Sequence, residues 1–108
     1  MSGDTMTKPT ARMRELMAAD ELIVSPGVFD GYSVRLVEKM GYKTACTTGA
    51  GLSNSRLGVP DVGIMGLSDN VEACRMIARS VSIPVMADAD TGYVTPANML
   101  HTVRLFED

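Results

Sequence analysis

A short β-prone run, a polar or glycine-rich turn and a segment of helical period follow one another three times along the chain, and this order restricts the fold more than any other feature. The first unit begins with Leu22, Ile23 and Val24, which predict a strand stopped by Pro26 and Gly27. Asp30 predicts the N-cap of a helix over 31–40, with Val34, Val37 and Met40 on one side and Gly41 as its stop. Residues 43–48 read as a second strand, and 49–67 as a long loop rich in Gly, Ser, Asn and Pro. Ser68 predicts the cap of a helix carrying Val71, Cys74, Ile77 and Ala78 on one face. Residues 83–88 read as a third strand, and Thr95 followed by Pro96 predicts a last helix with Met99, Leu100, Val103 and Phe106 as its apolar face. Ahead of these units, Thr10 predicts the cap of an amphipathic helix with Met13, Leu16 and Met17.

Alternating strands and helices imply an α/β fold of parallel strands joined by right-handed crossovers. A complete (β/α)8 barrel takes about 250 residues, whereas the 108 residues here fit one domain at most. The expected architecture is the first three βα units of a (β/α)8 TIM-type barrel, preceded by an N-terminal helix. Residues 1–9 are expected to form a disordered leader, and 10–108 the N-terminal part of an incomplete barrel domain. The last helix reaches Asp108 without Gly, Asn or Pro to stop it, so its ending is expected to be imposed rather than structural.

Composition narrows the partners. Ten Lys and Arg against thirteen Asp and Glu give a net charge of -3, the wrong sign for attraction to phosphate backbones, so no nucleic acid is expected. No stretch approaches the roughly 18 apolar residues of a membrane span, and the opening is not a signal sequence; a cytoplasmic location and no membrane partner are expected. Cys46 and Cys74 lie outside any CxxC pattern, which argues against zinc or a disulfide scaffold, and both are expected to be reduced and semi-buried. The absence of Trp leaves no stacking platform for bases, while nine Met residues suit adaptable packing.

The sharpest local feature is Asp88-Ala89-Asp90-Thr91-Gly92 at the end of the third strand. Positions i and i+2 of a strand share a face, so Asp88 and Asp90 are expected to project together at the end where parallel α/β folds bind ligands. Mg2+ suits such a pair, because it takes oxygen ligands and often only one or two carboxylates. Turn hydrogen bonds before the next helix account for the two Asp residues equally well. At the second strand end, the small residues of Thr47-Thr48-Gly49-Ala50-Gly51 allow backbone N–H groups close to a carboxylate or phosphate, with the Thr48 hydroxyl as a further donor; a simple turn is the alternative. Asp61 sits in a Pro- and Gly-stiffened loop able to fold over the strand ends, although a loop Asp is commonly just solvated. His101 lies mid-helix and reads as structural or surface.

Taken in order, Pro26-Gly27-Val28-Phe29-Asp30, Thr48-Gly49-Ala50-Gly51, Leu57-Gly58-Val59-Pro60-Asp61-Val62-Gly63 and Asp88-Ala89-Asp90-Thr91-Gly92-Tyr93 resemble the isocitrate lyase / phosphoenolpyruvate mutase superfamily. The members most alike are 2-methylisocitrate lyase, dimethylmalate lyase and oxaloacetate decarboxylase-like enzymes. The resemblance implies a (β/α)8 barrel, usually a homotetramer with an exchanged helix, using Mg2+. Asp88 and Asp90 would hold the ion directly or through water, Asp61 would stand near metal and substrate as the catalytic candidate, and Thr48, Gly49 and Ala50 would bind the carboxylate of a small substrate. The family more often shows Ser-Gly-Gly at those three positions and an aromatic at Cys46, which implies an altered substrate clamp. Its Cys-bearing gate loop, a later metal-site Glu and a substrate Arg would fall past Asp108.

The implied reaction is Mg2+-dependent cleavage or formation of a carbon-carbon bond in a small 2-hydroxy or 2-oxo di- or tricarboxylate, through an enolate. Oxaloacetate decarboxylation or hydrolysis and phosphonate mutation are alternatives within the family. A truncated, noncatalytic chain that at most binds Mg2+ and a dicarboxylate, or associates with an intact homologue, is the alternative outside it, and the 108 residues alone are expected to be inactive.

Overall fold

The computed structural model describes residues 8–61, 65–89 and 99–107. Helix α1, Pro9–Ala18, has Lys8 at its N-cap, two residues before the expected Thr10. Proline at the first helical position lacks only an N–H that would have no intrahelical acceptor, and its fixed φ starts the helix without a side-chain cap. Met13 and Leu16 are half-buried, but Met17 points to solvent.

Strand β1 is Gly27–Val28, so the first strand lies beyond Leu22–Val24, which are not part of it. Leu22 is 89% exposed. The shift follows from pairing: β2, Ala45–Thr47, runs parallel to β1 with Gly27 opposite Cys46 and Val28 opposite Thr47. The Cys46 N–H donates to the Pro26 carbonyl (3.0 Å) and the Thr48 N–H to the Val28 carbonyl (3.1 Å). Pro26 therefore opens the strand as an acceptor, where a missing N–H costs no ladder bond. Strand β3, Val85–Met86, pairs parallel to the other side of β2, and Pro84 plays the same part by accepting from the Ala45 N–H. The sheet order is β1-β2-β3.

Helix α2, Gly31–Lys39, is capped as its sequence predicts. The Ser33 N–H donates to Asp30 Oδ1 (2.7 Å) and the Asp30 N–H to Ser33 Oγ (3.1 Å), a reciprocal box. Gly41 ends the helix at φ 92°, a conformation that strains residues bearing a Cβ. Val34 is buried, but Met40 at the last turn is 74% exposed, contrary to its expected place on the apolar side.

The segment 49–67 is not simply a loop. It opens with α3, Gly49–Leu52, and continues as a π-helical turn, Ser53–Leu57, which Gly58 ends at φ 65°. Thr48 caps α3, and Leu52 is fully buried; that apolar anchor outweighs the low helix propensity of the glycines. Helix α4, Leu67–Arg79, starts from Gly66, so Ser68 lies inside it and caps nothing. Val71, Ala73, Cys74 and Ile77 are buried, and Ala78 is exposed instead of facing the core. Thr95 and Pro96 lie outside the described residues. In α5, Met99–Glu107, the buried residue is Thr102, with Leu105 and Phe106 half-buried, whereas Met99, Leu100 and Val103 are exposed. This face, spaced i, i+3 and i+4, is the one available to α4, against which α5 packs.

Val28, Val34, Ala45, Leu52, Met65, Ala73 and Ile77 form the core between the sheet and its helices. Residues on the opposite face of the sheet are less covered: Cys46 is half-buried and Met86 is 45% exposed.

The Glu38 carboxylate at the end of α2 ties that helix to the approach of β3. It accepts from the Ser82 N–H (2.8 Å), the Ser82 hydroxyl (2.9 Å) and the Ile83 N–H (3.3 Å). Partial burial alone raises its pKa, but the bonds from Ser82 and Ile83 and the nearby Arg35 outweigh it and hold the group below its ordinary value of 4.5. A lowered folded-state pKa contributes stability above the unfolded value, and the contribution disappears as pH falls through the folded one. Glu38→Gln is therefore expected to lower stability at pH 7 by about 1 kcal/mol, solvent screening limiting the effect. Urea melts should show that difference shrinking below pH 4.5 and vanishing under the folded-state pKa. A pH-independent difference would contradict the assignment.

Candidate active site

The carboxyl ends of the three parallel strands lie side by side, and the candidate residues follow β2 and β3. Gly49, the first residue of α3, faces both Asp88 and Asp61. A Cβ on Gly49 would lie 3.2 Å from Asp88 Oδ2, 3.6 Å from Asp61 Oδ2 and 3.8 Å from Asp61 Oδ1. Two carboxylates with α4 and β3 between them in the chain thus meet over one glycine: Asp88 comes from just past β3, and Asp61 from the loop after Gly58. Both side chains belong to exposed residues, open to solvent and to a ligand. Asp90, expected beside Asp88, lies outside the described residues, as do Thr91, Gly92 and Tyr93.

Asp88 is held by its main chain. Its N–H donates to Thr47 Oγ1 (2.8 Å), and its carbonyl accepts from Asn70 Nδ2 (2.7 Å). The Cys74 thiol donates to Asn70 Oδ1 at 3.4 Å and lies 3.7 Å from Thr47 Oγ1. Thr47, Asn70 and Cys74 are all buried. Burial raises the Cys74 pKa, the bond with Thr47 opposes that rise, and the Asp88 charge adds to it, so the thiol stays protonated and able to donate. Sequence reasoning missed Asn70. The available signal was its position four residues before Cys74 and seven before Ile77, a polar side chain on the apolar stripe of α4.

Thr48 is committed locally: its N–H joins the β1–β2 ladder, and its Oγ1 accepts from the Gly51 N–H (3.2 Å). The hydroxyl proton keeps its freedom to donate elsewhere. Gly49 and Ala50 are the first two residues of α3, where N–H groups have no intrahelical acceptor. Thr48, Gly49 and Ala50 thus border the point on which Asp61 and Asp88 converge. Cys46 turns away, its thiol donating to the Ser25 carbonyl (3.4 Å). His101 is exposed on α5.

The donor set fits a hard divalent cation. Two carboxylates aimed at one gap repel each other unless a cation or proton lies between them, and Mg2+ needs only one or two carboxylates because it retains waters. The gap is kept open by the missing Cβ of Gly49. Among the described residues no group of three or more His, Cys, Asp or Glu assembles. No helix among the described residues is long and apolar enough to cross a membrane.

Comparison with known proteins identifies the family. The sequence model of the family described as phosphoenolpyruvate phosphomutase matches residues 13–108. A 2,3-dimethylmalate lyase of Eubacterium barkeri is 37% identical over 97 residues, covering 90% of this chain and 34% of that protein. The crystal structure of oxaloacetate acetylhydrolase superposes with a TM-score of 0.87 and 41% identity, over 92% of this chain and 36% of the other. A phosphonopyruvate hydrolase complex with oxalate and Mg2+ gives a TM-score of 0.87 at 29% identity, over 94% of this chain and 35% of the other. The chain spans about a third of the length of the curated relatives it matches. With a family match over 13–108 and relatives of the same fold, the chain belongs to the phosphoenolpyruvate phosphomutase family, within the isocitrate lyase / phosphoenolpyruvate mutase superfamily.

Proposed function

We propose that this chain forms the opening three βα units of a (β/α)8 barrel enzyme that makes or breaks a carbon-carbon bond in a small 2-hydroxy or 2-oxo di- or tricarboxylate. The observation that carries this reading is the convergence of Asp88 and Asp61 on Gly49. The less covered face of the parallel sheet supports the barrel, since parallel sheets are ordinarily buried on both faces.

In this reading Asp88 would hold Mg2+ with Asp90 as the second carboxylate, and Asp61 would serve the ion and the substrate from its loop. The ion supplies positive charge where an oxygen gains negative charge during bond scission, an effect worth several kcal/mol. The Gly49 and Ala50 N–H groups and the Thr48 hydroxyl bind one substrate carboxylate, and the Thr48–Gly51 bond keeps that cradle in shape. Gly49 has a second role, because a side chain there would occupy the space between the acids. An oxaloacetate-cleaving hydrolase is the second reading, favoured by the 41% identity to oxaloacetate acetylhydrolase.

Oxalate, the ligand of the phosphonopyruvate hydrolase complex, provides the test. Calorimetric titration of the chain is expected to show oxalate binding in the presence of Mg2+ and none in EDTA. Equal binding under both conditions would overturn the reading.

A further inference from the structure

We propose that Asn70 is a positioning residue for the metal site, gripping the Asp88 peptide so that its carboxylate faces Asp61 across Gly49. The inference rests on the proposed Mg2+ role of Asp88 and adds to it a buried support on α4. The Asp88 main chain is fixed on both sides of its Cα: its N–H donates to Thr47 Oγ1 at 2.8 Å, and its carbonyl accepts from Asn70 Nδ2 at 2.7 Å. One contact comes from the neighbouring strand and the other from a helix, so the end of the third strand is held against both layers that support it. With only Val85 and Met86 in β3, Asp88 lies beyond the paired part of the strand, and these two bonds extend the order of the ladder to it.

The Asn70 amide is itself oriented. The Cys74 thiol, one helical turn along, donates to Asn70 Oδ1 at 3.4 Å. That bond fixes the oxygen toward sulfur and leaves the NH2 group for the Asp88 carbonyl; the flipped amide would set oxygen against oxygen. Asn70 is 3% exposed, so solvent offers the Asp88 carbonyl little replacement on that side. Losing the amide donor frees the peptide to rotate, and the attached carboxylate rotates with it. Partners behind metal ligands are typically worth ~10-fold to 100-fold in metal affinity when removed.

Mn2+ is the probe, with affinity read by calorimetry and exchange of the Asp88 amide hydrogen read by NMR in the metal-free protein. Asn70→Leu, close in size but without a donor, is expected to weaken Mn2+ binding about tenfold and to speed exchange of the Asp88 amide. Thr47→Val, which removes the other half of the grip, should do the same and serves if Asn70→Leu does not fold. Ile77→Val loosens the same helix without touching these bonds, and its Mn2+ affinity should stay at the wild-type value. Wild-type Mn2+ affinity in Asn70→Leu, or an equal loss in Ile77→Val, would overturn the proposal. Failure of the wild-type chain to bind Mn2+ would instead overturn the metal reading on which it rests.

Discussion

Asp88→Asn is expected to abolish Mn2+ binding without unfolding the chain. The two main-chain bonds of Asp88, to Thr47 and from Asn70, survive the substitution because they do not involve the side chain. Asn has the same shape but offers one neutral carbonyl oxygen where a hard cation requires charge. In the metal-free protein the substitution also removes a like charge facing Asp61. Both residues are exposed, so water screens that repulsion and its relief is small. Stability of the metal-free variant should therefore equal or slightly exceed that of the wild type in urea melts, while calorimetry shows no Mn2+ uptake. A variant that binds Mn2+ normally would remove Asp88 from the site. Loss of folding together with binding would show that the carboxylate has a structural duty instead.

Gly51→Ala is expected to produce the opposite pattern, damage to the fold first and to ligand binding as a consequence. The added Cβ would sit 2.6 Å from Thr48 Cγ2 and 3.1 Å from Phe29 Cβ. Neither neighbour moves cheaply. Thr48 is β-branched, its hydroxyl caps α3, and its N–H belongs to the ladder with Val28. The Phe29 Cβ is fixed to the backbone just after β1. Relief must therefore separate the ends of β1 and β2 or unwind α3, and overpacking of this kind costs about 1–3 kcal/mol. Gly27→Ala is the control, because its added Cβ would make only ordinary contacts, at 3.7 and 3.8 Å from Thr48, and no positive φ is involved. A chemical melt should show a lower midpoint for Gly51→Ala alone; equal stability of the two variants would contradict the packing argument.

The features that the sequence displays openly are those decided within a few residues. Asp30 and Ser33 close a capping box over three positions, and Gly41 supplies the positive φ that ends α2. Parallel topology was legible for a similar reason, since the alternation of strand and helix leaves little choice of crossover. Strand placement was less legible: Leu22–Val24 has the stronger β composition, but Gly27–Val28 is what meets β2 in register. Pairing is a property of two segments, and composition describes only one. In 49–57 the glycines suggested a turn, yet the Thr48 cap and the buried Leu52 hold the segment helical.

The candidate site shows the same division. Asp88 stood out because a strand end is a local reading, and Thr48-Gly49-Ala50 stood out for its small residues. The meeting of Asp61 with Asp88 was not available from spacing, because a loop must first fold back over Gly49. Asn70 was concealed differently. A lone amide on an apolar helix face has no visible purpose until the carbonyl of Asp88, eighteen positions along the chain, arrives within 2.7 Å.

Mn2+ added in small increments to the 15N-labelled chain tests the central claim most directly, because the unpaired electrons broaden nearby amide signals first. Binding between the two acids predicts that Gly49, Asp61 and Asp88 lose intensity together and ahead of the rest, and that excess Mg2+ restores them. Early loss around Glu21, Glu38 or Glu107, with Gly49, Asp61 and Asp88 unaffected, would contradict it.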